Sequence, residues 1–204
     1  MKKYASWVLA LLMFGLLTVS VAKADSSDPV VFLQSIADRM IDSLKAKQTT
    51  LKSNPSLVYS LAYKIVVPHA DLAEMSKRVL PPQTWNSATP AQRKQFESEF
   101  TMTLVRTYAS ALAEYNDQTL QFYPVRGGYQ GKSDVRVDSQ IIRSDGPSIT
   151  VNYRLMRRGS QWKLYDMTVE GVSMLESFRS QFADQLARGD IASLIKVLSQ
   201  HNGR

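Results

Sequence analysis

The apolar residues of this chain change their period twice, and that order leaves few folds open. They recur about every four residues as far as Leu112, about every second residue from Thr119 to Val169, and about every four again from Leu175 to Leu198. Helices, then a meander, then helices, with no strand-helix-strand alternation, predict an α+β fold. In it an antiparallel sheet of about four strands carries helices packed on one face.

The local signals agree. Asp28-Pro29 reads as an N-cap followed by proline in the first turn, with Phe32, Ile36, Met40 and Leu44 forming the stripe behind it. Asn54-Pro55 repeats the device ahead of Leu57, Val58, Leu61 and Ile65, and Pro68 ends that helix. A short segment from Leu72 to Leu80 stops at Pro81-Pro82. Thr89-Pro90, with Gln92 completing a capping box, opens the longest helix, along which Phe96, Phe100, Leu104, Tyr108 and Leu112 align. Strands are expected from Thr119 to Val125, around Val135 to Ile141, from Ile149 to Leu155 and from Trp162 to Val169, joined by glycine turns. Gly171 relieves the backbone at the exit of the last strand. Ser173 and Glu176 form an S-x-x-E box for the next helix, which carries Leu175, Phe178, Phe182 and Leu186 and ends at Gly189. Asp190 caps Ile191, Leu194, Ile195 and Leu198, and the HNGR tail with His201 is expected to fray.

Lys2 and Lys3 precede an apolar run from Trp7 to about Leu17, and Ala22-Lys23-Ala24 has the small-x-small form of a cleavage site. Residues 1–24 therefore read as a secretory signal peptide, with the mature chain beginning near Asp25. The run falls short of the roughly 20 apolar residues that a membrane span needs. Cysteine is absent, which removes lipoprotein acylation, disulfides and thiolate chemistry together. Cleavage takes away Lys2, Lys3 and Lys23 and no acid, lowering the formal charge from +7 to +4. Lys and Arg are scattered, and an exported protein does not meet nucleic acid, so the charge suits solubility, an anionic membrane surface or an acidic protein partner.

Catalytic chemistry is thinly represented. His69 has Asp71 and Glu74 near it, but there is no H-x-x-x-H or H-E-x-x-H pattern and no metal site is expected. Gly171-Val172-Ser173-Met174 lacks the second glycine of a nucleophile elbow, and capping accounts for Ser173. Tyr165-Asp166 admits two readings. Strand alternation puts Asp166 on the face of Trp162 and Leu164, where a pocket carboxylate beside a tyrosine donor would suit a small isomerase-like enzyme. The alternative is an anchor, hydrogen-bonded to backbone or to an arginine. The large rings likewise suit a solid core, since periodicity is the same for a filled core and a hollow one.

Three long blocks carry a resemblance. SATPAQRKQFESEF from Ser87 to Phe100, RTYASALAEYNDQT from Arg106 to Thr119, and WKLYDMTVEGVSM from Trp162 to Met174 stand in this order behind the leader. Together they resemble the MlaC (toluene-tolerance) family of periplasmic phospholipid carriers. The resemblance implies a single phospholipid-binding domain over residues 25–204, with a deep apolar cavity for acyl chains and a headgroup near solvent. Candidate lipid-binding residues are then Leu104, Tyr108 and Leu112 on the long helix, Val151 and Tyr153 in the sheet, and Val172, Met174, Phe178 and Phe182 at and beyond the signature. Val172 is expected on the pocket wall. It further implies phospholipid as cargo with no cofactor, no catalysis, and two partners. These are an inner-membrane ABC-type lipid transporter with a ring of substrate-binding domains, and an outer-membrane lipoprotein-porin complex. The role implied is maintenance of outer-membrane lipid asymmetry. An adaptor that binds protein partners without lipid is the remaining reading.

Overall fold

The structure, a computed structural model, describes residues 28–203 except 114, 116 and 117. The expected signal peptide over residues 1–24 and its cleavage site lie outside the described residues. Helix α1 (Pro29–Ala46) begins as expected, with the Asp28 carboxylate accepting from the amides of Val30 and Val31. Its buried stripe is Leu33, Ile36, Met40 and Leu44, with Phe32 half-buried beside it. A short helix α2 (Gln48–Ser53) follows; it buries only Leu51 and so leaves no periodic signal. The helix expected after Asn54-Pro55 starts later, as α3 (Leu57–Ile65), because Asn54 accepts from the Ser56 hydroxyl at 2.5 Å instead of capping. After a 3-10 turn at Val67–His69 come α4 (Leu72–Val79), capped by Asp71, and a turn-and-a-half α5 (Pro82–Ser87). In α6 (Pro90–Ala113) the Thr89 and Gln92 side chains each accept from the other's amide, at 3.2 and 2.9 Å, which is the predicted capping box.

The sheet runs in sequence order, each strand antiparallel to the next: β1 (Thr119–Phe122), β2 (Asp134–Ile142), β3 (Ile149–Arg158), β4 (Gln161–Val169) and β5 (Val172–Ser173). The fifth strand is two residues that fold back on Val169 and Thr168. The turn before it needs positive φ twice, at Glu170 (48°) and Gly171 (83°), which is why glycine follows the strand. Arg136, Asp138, Gln140, Thr150 and Asn152 share the polar sheet face, while Val135, Val137, Leu155 and Trp162 pack with Leu33 of α1 on the other.

Two helices complete the chain. Ser173 caps α7 (Met174–Leu186) through the Glu176 amide, but the Glu176 carboxylate turns to Arg179 at 3.0 Å, so only half the predicted box forms. Asp190 caps α8 (Ile191–His201) through the Ser193 amide. The tail is not frayed at Asn202, which is 2% exposed. Its side-chain amide donates to the Glu99 backbone carbonyl and carboxylate at 3.0 and 2.8 Å. A small amide side chain there satisfies a buried carboxylate on α6, a partner that local sequence does not reveal.

Packing divides along α6. Its first half joins α4, α7 and α8 in a solid aromatic cluster of Phe96, Phe100, Phe178 and Phe182. Its second half, through Val105 and Ala109, packs on α1 and α3.

Candidate functional site

Between α1, the second half of α6 and the sheet the chains do not close. They leave an apolar cavity of about 280 Å³. Helix α1 contributes Leu33, Ile36, Ala37 and Met40, and α6 contributes Thr101, Leu104, Val105, Tyr108, Ala109 and Leu112. The segment from Val66 to Met75 supplies one side, with Leu120, Phe122, Tyr153, Leu164 and Met167 from the sheet and Met174 from the start of α7. Four of these are methionines (Met40, Met75, Met167 and Met174), unbranched side chains that adapt to irregular shapes. The volume stands near the lower end of the roughly 300–1,000 Å³ common for ligand pockets. Such a wall can widen by rotamer changes.

Of the nine candidate residues, the structure brings Leu104, Tyr108, Leu112, Tyr153 and Met174 to this wall. The other four stand elsewhere. Val172, expected on the wall, is 63% exposed in the β4–β5 turn region, because pairing with Val169 carries it out along the sheet end. Val151 is buried in the sheet opposite Val169 and is not part of the wall. Phe178 and Phe182 meet Phe100 edge to face at 5.4 and 5.6 Å in the solid cluster, so their helical stripe is a core stripe. Sequence reading missed the α1 face as a cavity wall, and with it Leu164 and Met167. The α1 stripe was legible as a buried face, but nothing in a period distinguishes a face against side chains from one against space.

A β-bulge explains Met167. Leu155 pairs with Leu164 but Arg154 pairs with Asp166, so Tyr165 is an extra residue in β4 and the alternation shifts phase there. Met167 therefore joins Leu164 on the wall, and Asp166 stands opposite Arg154 instead of sharing the face of Trp162 and Leu164. Asp166 is 5% exposed and fully engaged: it accepts from the amides of Met167 (2.9 Å) and Leu175 (3.2 Å) and from the Ser173 hydroxyl (2.8 Å). The neighbouring Tyr165 donates its hydroxyl to Asp134 at 2.7 Å. Burial and that carboxylate push the phenol up to about 12. Neither group is presented to the cavity as an acid or base. Among the described residues no three metal-ligating side chains converge.

The wall phenols of Tyr153 and Tyr108 are held neutral mainly by burial, Tyr108 also by the Asp166 charge. His69 is the wall's one imidazole, edge-on to Phe32 with ring centroids 5.6 Å apart. Burial first, then Arg39 and Lys163, lower its pKa below 6.5. The unfolded chain therefore takes up this proton first on acidification, and stability is lost as pH falls from 6.5 through the folded value. The urea midpoint is expected to drop between about pH 7.5 and about pH 5.5, with a smaller drop in His69→Gln. An unchanged slope in that variant would show that His69 is not the group responsible.

The family model described as MlaC protein matches residues 34–200. Toluene tolerance protein ttg2D of Pseudomonas putida is 31% identical over 175 residues, covering 86% of this chain and 78% of that protein. The intermembrane phospholipid transport system binding protein MlaC of Haemophilus influenzae is 28% identical over 197 residues, covering 95% and 90% respectively. A phospholipid-binding protein from Ralstonia solanacearum, solved in complex with a phospholipid, matches with a TM-score of 0.78 at 29% identity. The match covers 86% of this chain and 97% of that one.

Proposed function

The chain belongs to the MlaC family, and from that premise and the apolar cavity we propose that it is a non-enzymatic phospholipid carrier of the periplasm, exported by a leader cleaved near Asp25. The observation that carries the reading is the wall itself: apolar side chains from α1, α6 and the sheet enclose space. Two acyl chains hold about 30 methylenes, and at about 0.8 kcal/mol each their exposure to water costs on the order of 20 kcal/mol. An unassisted phospholipid does not cross an aqueous compartment at that cost. Transfer from bilayer to cavity exchanges one hydrocarbon environment for another, so loading and unloading remain reversible.

The carrier would exchange cargo with an inner-membrane ABC-type transporter bearing substrate-binding domains and with an outer-membrane lipoprotein-porin complex. Its work there would maintain the lipid asymmetry of the outer membrane. Direct engagement of Tyr165 and Asp166 in structural hydrogen bonds supports transport over catalysis.

Protein purified from cells under non-denaturing conditions is expected to carry stoichiometric phospholipid by native mass spectrometry. Met167→Glu, which sets a carboxylate against the acyl chains, is expected to lower occupancy about tenfold while the protein stays folded. Lipid-free wild type in that measurement would remove the carrier reading.

A further inference from the structure

The cavity wall is hydrocarbon nearly throughout, and its basic side chain, His69, lies at a half-buried edge of it. Two cations flank that edge. Arg39 is exposed on α1 two turns beyond Phe32, on the helix face whose Phe32 ring meets His69, and Lys163 stands on β4 next to the wall residue Leu164. The Lys163 ammonium donates to the Pro68 carbonyl at 2.8 Å, which fixes it against the turn that carries His69. Neither cation enters an ion pair among the described residues, while the nearby carboxylates Asp71 and Glu74 are taken by Arg158. Their field reaches the imidazole, where both act to keep a further positive charge off.

Two cations outside any ion pair among the described residues, beside an imidazole that can donate, are complementary to an oxyanion. Their place at the edge of a hydrocarbon hollow selects an anion attached to apolar chains, since one ligand then satisfies both surfaces. Resting on the carrier reading, we propose that Arg39, His69 and Lys163 form a phosphate subsite at the rim, holding the phosphate of a lipid whose tails occupy the cavity.

The test equilibrates delipidated protein with non-ionic detergent micelles containing equal amounts of dioleoyl phosphatidic acid and dioleoylglycerol, and bound lipid is identified by mass spectrometry. The tails are the same, so the ratio reads the phosphate alone. Wild type is expected to enrich phosphatidic acid about tenfold, and Arg39→Gln/Lys163→Gln to bring the ratio to within about twofold of unity. Equal loading in wild type, or undiminished enrichment in the double variant, overturns the subsite while leaving the carrier reading standing. Failure of wild type to load either lipid overturns the carrier reading and the subsite with it. Inorganic phosphate is titrated alone by calorimetry, and no saturable binding is expected. Saturable binding lost in the double variant would reassign the site to a soluble phosphate and overturn the lipid assignment. Should loss of the Lys163 contact to Pro68 unfold the double variant, Arg39→Glu at an exposed position decides, with an expected preference for dioleoylglycerol; retained preference for phosphatidic acid counts against the subsite.

Discussion

Phe100→Ala is expected to cost about 4 kcal/mol of stability, at least twice the cost of Leu104→Ala one turn further along the same helix. Phe100 is 0% exposed and meets Phe96, Phe178 and Phe182 at centroid distances of 5.6, 5.4 and 5.6 Å. Removing its ring leaves a void walled by other rings that cannot collapse, so the lost transfer energy and the cavity cost add. Leu104 already faces space. Its truncation enlarges an existing hollow and is expected to cost about 1 to 2 kcal/mol, below the usual range for a packed leucine. Urea unfolding of delipidated protein measures both. Equal losses at the two positions would mean that the second half of α6 packs as solidly as the first.

Asp166→Ala is expected to cost about 3 kcal/mol and to lower the melting temperature by about 10 °C. The carboxylate receives two amides and a hydroxyl, and through them it joins the β4 bulge, the Ser173 cap and the first turn of α7. Its loss leaves the buried Leu175 amide without that acceptor and frees the side chain that positions the cap. Asp166→Asn keeps one acceptor oxygen and is expected to lose about half as much. Transfer of phospholipid between two liposome populations should fall only in proportion to unfolded protein. A variant that melts with wild type yet no longer transfers lipid would give Asp166 a direct part in transport and overturn the anchor role.

Much of the fold was readable because it is written in short-range chemistry. Asp28, the Thr89–Gln92 pair, Ser173 and Asp190 each act within a turn of their own position, and all four cap their helices, although Glu176 pairs with Arg179 and leaves the Ser173 box half formed. Where a choice was settled at long range the reading missed. Asn202 reaches Glu99, and the Tyr165 bulge answers to the register between β3 and β4, neither visible in a window of neighbours. The site divides in the same way. Tyr108 and Phe178 lie on equally regular stripes and meet edge to face at 6.1 Å, but Tyr108 also lines the hollow while Phe178 stays within the ring cluster, and no period distinguishes the two.

That division makes α6 a single rod with two kinds of neighbour. From Phe96 to Phe100 it is fastened among α7 and α8; from Leu104 to Leu112 it borders the hollow. Backbone amides in the fastened half open only with the whole molecule, whereas those in the other half are backed by α1 and α3 on one side and border the hollow on the other, and can exchange through local opening. Hydrogen exchange should then be graded along one continuous helix, slow near Phe100 and faster near Leu112. The hollow end can breathe while the far end keeps the fold registered, which lets the protein admit a bulky guest without first coming undone.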